Sequence, residues 1–374
     1  MEQHDDGATA VHYRTTGATP GGARTGGTST YSALLAQVKE AGLLRRRRGF
    51  YWTLFAALVL ATAGCWTAFA VLGDSWSQLV VAGALGVLFT QFAFLSHEAA
   101  HRQVFASQKW NDHAGRWLGT FLVGLSYSWW MHKHTRHHGN PNTVGKDPDI
   151  EPDGIRFLPE DAAAVRGPLM RTFLRHQGWL FFPLLTLEGL NLHRHAVVAV
   201  VRGVGARPDV RGRALEGVLL VARFAIYLTV VFRFLPLGMA CAFLGVQLAV
   251  FGVMMGASFA PNHKGMPTIA HDAKVDFFSR QVRTSRNIRG GWWVSFLMGG
   301  LNHQVEHHLF PSMPRPALRH ARLLVRGHCH ALDVPYTETT LLRSYGIVVR
   351  YLNRVGVTAR DPFACPLVTE LRIH

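Results

Sequence analysis

Residues 51–73 read YWTLFAALVLATAGCWTAFAVLG, twenty-three positions without an acid, a base, a proline or a side-chain amide. At a helical rise of about 1.5 Å per residue the run is long enough to cross a hydrocarbon core of roughly 30 Å. Working outward, Arg45–Arg48 precede it as an unbroken basic block that belongs on the cytoplasmic side. The residues after it, DSWSQ at 74–78, hold an acid and no base, as suits a turn on the far side. Residues 79–95 (LVVAGALGVLFTQFAFL) then return the chain inward and deliver SHEAAHR at 96–102.

A second apolar pair follows. Residues 214–235 carry Arg223 and Arg233, whereas 236–260 carry no charge. Three further stretches, WLGTFLVGLSYSWW, GWLFFPLLTLEGL and GWWVSFLMGG, are too short to cross and suit interfacial or re-entrant helices. The loops with Arg202, Arg207, Arg211 and Arg213, and with Arg280, Arg283, Arg286 and Arg289, are basic and so cytoplasmic. Four spans with both termini inside satisfy every basic loop. The expected fold is an all-α integral membrane protein: four transmembrane helices at about 51–73, 79–95, 214–235 and 236–260, with a cytoplasmic helical cap.

Composition agrees. Of 374 residues 48% are hydrophobic and 17% charged, a membrane protein's balance. The net charge of +16 is then read as an anionic membrane face or an acidic partner, not as nucleic acid. Cys65, Cys241, Cys329 and Cys365 are far apart and form no CxxC, which fits neither a disulfide framework nor a structural zinc site. Residues 1–30 are polar and rich in Gly and Thr, with no apolar core for a signal peptide, and are expected to be a disordered leader. YSALLAQVKEAGLL at 31–44 has helical apolar spacing.

This topology puts all the clustered histidine on one membrane face. His97 and His101 stand four apart, one helical turn, so their imidazoles point the same way. His134, His137 and His138 repeat the arrangement, and His307 and His308 do so again behind His303 and Gln304. Packed imidazoles repel when protonated and waste donors when neutral unless a cation fills the space between them. A catalytic zinc uses about three protein ligands and a structural one about four. Eight or nine nitrogens therefore point to two ions, and imidazole suits iron, copper or zinc. HEAAH alone is also HExxH, the zinc-protease string with Glu98 as general base, but that chemistry has no use for two more His-His pairs. A metal store or transporter would want ligands inside the spans, whereas these sit at their ends.

The residues resemble the membrane fatty acid desaturase family in its three histidine boxes: His97-Glu-Ala-Ala-His101, His134-Thr-Arg-His137-His138, and His303-Gln304-Val-Glu-His307-His308. The resemblance extends to KDPDI at 146–150, FAPNHKGMP at 259–267, TSRNI at 284–288 and EHHLFPSMPR at 306–315, strings most similar to bacterial acyl-CoA or acyl-lipid desaturases of actinomycete type. It implies a desaturase domain over 31–335 followed by a cytoplasmic C-terminal segment, 336–374. It also implies two irons on the box histidines, with His263 as a further ligand and either His303 or Gln304 at the first position of the third box. His132 lies outside the pattern and reads as a surface residue. Asp147 and Asp149 could orient a ligating imidazole or merely shape a turn. The Trp pairs of SWWM and GWWV suit either a substrate wall or an interfacial belt.

The implied enzyme is an oxidoreductase that uses dioxygen and two electrons to place a cis double bond in a long-chain acyl group, carried as CoA ester or lipid. No side chain beyond the metal centre is expected to act on the substrate, because no base or nucleophile removes hydrogen from an unactivated methylene. A hydroxylase on the same di-iron scaffold is the nearest alternative. The chain has no HPGG haem motif, no GxGxxG and no cysteine cluster. The electrons are thus expected from a separate ferredoxin or cytochrome b5 type carrier with its reductase, steered to the arginines between Arg280 and Arg289.

Overall fold

The computed structural model of the protein describes residues 30–203 and 210–358. The leader expected at 1–30 therefore lies almost wholly outside the described residues, as does the chain after 358.

Among the described residues, four helices are long and apolar enough to cross a membrane: Arg48–Leu72, Gln78–Ala100, Val210–Phe234 and Leu237–His263. In chain order, α1 (Thr30–Glu40) leads to the first two spans, α2 (Arg48–Leu72) and α3 (Gln78–Ala100). Then come α4 (Gln108–Gly115), a π-helical segment (Arg116–Val123) and α5 (Tyr127–Gly139). The helices α6 (Pro159–Ala163), α7 (Pro168–Leu184) and α8 (Glu188–Arg202) precede the second pair of spans, α9 (Val210–Phe234) and α10 (Leu237–His263). The rest is α11 (Phe277–Arg283), β1 (Arg286–Arg289), α12 (Trp292–Leu297), α13 (Gln304–Leu309), α14 (Arg315–Ala331), β2 (Thr337–Thr340) and α15 (Leu341–Thr358).

The three short apolar stretches become short or broken helices. The first is the π-helical segment and the start of α5, the second bends after Pro183 through a turn of 3-10 helix, and the third is α12.

The spans differ in what surrounds them. In its most apolar window α3 is 67% buried against protein and α2 only 11%, so α3 is the axis of the bundle and α2 its lipid-facing edge. A core of Leu85, Phe89, Phe92, Phe243 and Phe251 joins α3 to α10. The charges noted in the third span are accommodated locally. Arg223 lies over the rings of Phe89 and Tyr227 at 4.7 and 4.1 Å, and Arg233 sits in the last turn. Glu216, 1% exposed, accepts from Ser126 Oγ at 2.7 Å and the Ser128 amide at 3.0 Å, which ties α9 to the start of α5.

Two features add to this mostly helical body. β1 and β2 pair as a two-stranded parallel sheet, Arg286 opposite Thr337 through Arg289 opposite Thr340, where Thr-rich TETT favours the extended backbone. The segment set apart from residue 336 is also packed into the body. Through Val348 and Leu352 on α15 it shares a core with Phe181 of α7 and Ala260 of α10.

Candidate metal centre

Both central spans end on the site. α3 places His97 in its last turn and His101 at its C-terminal cap, and α10 ends on His263. His134, His137 and His138 lie on α5, whose start is capped by Ser126 Oγ accepting from the Trp129 amide. His307 and His308 lie on the short buried α13. The chain turns into α13 through Gly299 and Gly300, both at positive φ (58° and 81°), where a Cβ on Gly299 would meet the Phe94 ring at 2.3 Å. Only glycine fits that turn.

Eight histidines meet there in two groups. The ligating nitrogens of His97, His101, His134, His138 and His307 all lie within 4.8 Å of one another, as do those of His137, His263 and His308. His134 Nε2 stands 3.1 Å from His97 Nε2 and 2.8 Å from His101 Nε2. That is close to the roughly 3 Å between neighbouring nitrogens each about 2.1 Å from one ion. The groups adjoin where His138 and His308 stack, 4.3 Å apart and 10° from parallel.

The donor set fits metal ions on the evidence of its unused atoms. Both ring nitrogens of His138, and Nε2 of His307 and of His308, are buried with no hydrogen-bond partner among the described residues. Each such orphan costs about 1–3 kcal/mol, and a cation between the rings removes the cost. Burial first, and then the charge of neighbouring histidines, holds His101, His134, His138, His307 and His308 well below the usual imidazole range. The rings are thus neutral, the form that ligates.

The three-histidine group is oriented from behind. His137 Nδ1 donates to Asp147 at 3.0 Å, and Asp147, fully buried, also accepts from the amides of Asn142 at 2.7 Å and Asp149 at 2.9 Å. Burial alone would depress His137, but the Asp147 and Asp149 carboxylates outweigh it and raise it. Asp149 stands farther off, 3.4 Å from His137 Nδ1, and pairs with Lys133 at 2.9 Å. His263 Nδ1 donates to the Thr284 carbonyl at 2.9 Å, and His308 Nδ1 to Gln281 Oε1 at 2.8 Å. Each contact turns the opposite nitrogen, Nε2, toward the group's centre.

The third box separates its two candidates. Gln304 is buried beside the three-histidine group, its Nε2 at 2.9 Å from His263 Nε2 and its Oε1 accepting from Asn262 Nδ2 at 3.1 Å. His303 is in neither histidine group. It is half-buried on the side of Arg322 and Glu338, and burial and Arg322 push it down to about 4. His132 is likewise in neither group. Glu98, the would-be protease base, is buried and bonded to Arg315.

Several functional neighbours carried no sequence signal of this role. Gln281 and the Thr284 carbonyl are two. Another is Glu306, buried between box residues and accepting from Asn287 Nδ2 at 2.7 Å and the Tyr336 hydroxyl at 2.6 Å. The tryptophan strings divide. Trp130 stacks on His134 at 4.2 Å, and with Phe94, His97, Met255 and Phe259 it lines a narrow, largely apolar cavity, while Trp292 and Trp293 are exposed. The arginine-rich docking face is partly consumed within the protein. Arg286 is 2% exposed and donates to the carbonyls of Pro261 and Lys264, Arg280 donates to the Gly139 carbonyl at 2.7 Å, and Arg289 is exposed.

Comparison with known proteins supplies the family context. The sequence profile described as fatty acid desaturase matches residues 74–340. A Delta(8)-fatty-acid desaturase of Helianthus annuus is 27% identical over 350 residues, covering 88% of this chain and 74% of the relative. Fatty acid desaturase 3 of Bos taurus is 25% identical, covering 87% and 72%. An acyl-lipid (9-3)-desaturase of Borago officinalis is 27% identical, covering 74% and 63%.

Proposed function

The chain belongs to the fatty acid desaturase family, and on that premise we propose that it is an oxygen-dependent desaturase that places a cis double bond in a long-chain acyl group at a pair of iron ions. The observation that carries this reading is the gathering of eight histidine nitrogens into two adjoining groups at the ends of two apolar spans. One ion would be held by His97, His101, His134, His138 and His307. The other would be held by His137, His263 and His308, with Gln304 rather than His303 in the first position of the third box. Irons bound there would supply the redox chemistry that side chains cannot, in a reaction that consumes dioxygen, two electrons and two protons and converts two neighbouring methylenes into a double bond with release of two waters.

The protein's part is positioning and exclusion of water. Phe94, Met255 and Phe259 line a cavity of about 20 Å³ beside His97 and Trp130, room for about one water, so an acyl chain reaches the histidines there only when these side chains move apart. Asp147, the Thr284 carbonyl and Gln281 hold the ligating rings in one tautomer and one orientation. The acyl group arrives as a lipid or CoA ester, and the electrons come from a carrier protein on the cytoplasmic face, where Arg45–Arg48 are exposed. Expression in a host with a simple lipid profile, followed by fatty-acid chromatography, tests the reading. A new product two mass units lighter than its parent acid supports it. A product one oxygen heavier assigns the scaffold to hydroxylation, and an unchanged profile with iron and a donor system present overturns the reading.

A further inference from the structure

We propose that Gln281 is a positioning residue for the metal centre: it sets the His308 ring against the second ion, and its loss releases that ion before the first. The inference rests on the two-ion reading above. Gln281 is fully buried on α11, outside all three histidine boxes, and both ends of its amide are used on ligand-bearing segments. Oε1 accepts from His308 Nδ1 at 2.8 Å, and Nε2 donates to the His138 backbone carbonyl at 2.9 Å. The first contact leaves His308 Nε2 bare and buried, facing the three-histidine group. The second ties that ring to the segment whose own histidine, His138, belongs to the five-histidine group. One amide therefore bridges the second box to the third and maintains the parallel stack of His138 on His308.

The neighbours of Gln281 act on the same parts of the chain. Arg280 Nη1 donates to the Gly139 carbonyl, the residue after His138, and the Thr284 carbonyl accepts from His263 Nδ1. α11 is fastened in turn by its Asp276 cap, whose Oδ1 accepts from the Ser279 amide at 3.0 Å, and by Phe278 and Val282 in the core with Leu309 and Phe310. Three residues within 280–284, Arg280, Gln281 and Thr284, thus hold backbone or ring atoms at His138, Gly139, His263 and His308. A leucine at 281 keeps the volume and removes both hydrogen bonds. A glutamate keeps an acceptor for His308 Nδ1, in the manner of the carboxylates that commonly stand behind metal-bound histidines, and gives up only the bond to the His138 carbonyl.

The test uses the full chain purified after growth on iron, reading iron per chain, the 57Fe Mössbauer spectrum and the rate at which an Fe(II) chelator withdraws metal. Wild type is expected to hold two ions. Gln281→Leu is expected to release one of them about 10- to 100-fold faster, the range typical for losing such an outer partner, to fall toward one ion per chain, and to lose or shift one component of the spectrum. Gln281→Glu is expected to keep both ions at close to the wild-type rate. Gln281→Leu with two ions and wild-type withdrawal overturns the inference while leaving the two-ion reading intact. Gln281→Glu failing as Gln281→Leu does also overturns it, because the effect then lies in packing rather than in the acceptor for His308. A wild-type chain with no more than one ion removes the two-ion reading and the inference with it.

Discussion

The two histidine groups are built from the same residue type within a few ångströms of each other, yet they are held in different ways. In the three-histidine group each ring has a fixed partner on its far nitrogen: Asp147 behind His137, the Thr284 carbonyl behind His263 and Gln281 behind His308. In the five-histidine group the rings are held mainly by one another and by Trp130, and His138 has neither ring nitrogen bonded among the described residues. One group is shaped by its surroundings before an ion arrives. The other is shaped by helix ends and by crowding. The difference teaches where substitutions outside the boxes will be felt most: behind the three-histidine group, and less behind the five.

The largest expected effect probes the crowded group. His138→Ala, and equally His101→Ala or His307→Ala, should bring double-bond formation down to background in fatty-acid chromatography while the protein remains in the membrane fraction, since the spans and not the boxes drive insertion. Retained activity in His138→Ala breaks the comparison and the site assignment together. Next in size, Asp147→Asn keeps the shape but removes the carboxylate behind His137, and should lower metal affinity or activity about 10- to 100-fold. Metal titration of that variant sharpens the comparison: one ion weakened and one unchanged means the groups load independently, whereas equal weakening means they load as a unit. Trp130→Ala should be milder, because a stacked pair of this kind contributes about 0.5–1.5 kcal/mol, a few-fold to tenfold in rate. The smallest effect belongs to His303→Ala, which should change activity by no more than about twofold, in the range of substitutions away from special features, while Gln304→Ala falls at least tenfold. The reverse order in a rate assay returns His303 to the third box.

Much of this arrangement was legible in the chain because its signals are local. The 23-residue run from Tyr51 and its basic flank specify a span, and the one-turn spacing of His97 and His101 specifies a shared face on α3. Asp147 could be suspected because it lies ten residues from His137 in a Pro-containing turn. What was illegible depends on contacts between distant segments. The windows of α2 and α3 have the same mean hydropathy, 2.0, yet opposite surroundings, 11% against 67% buried; hydropathy reports affinity for an apolar medium and is blind to whether lipid or protein provides it. Gln281 reads as an ordinary polar position because its partners are 27 and 143 residues away. The arginines of 280–289 read as a free basic surface, but four carbonyls, of Gly139, Val275, Pro261 and Lys264, occupy Arg280 and Arg286. The choice between His303 and Gln304 turns on one residue of phase in a six-residue helix, which spacing alone leaves open.

The central claim is that the two groups are two metal sites of one centre, and metal content tests it most directly. Chain purified from cells grown with sufficient iron, and quantified by elemental analysis against amino-acid analysis, should contain about two irons per chain. The same analysis of His138→Ala should show a marked loss. One zinc and no iron per wild-type chain, or metal content that ignores the loss of His138, would contradict the account.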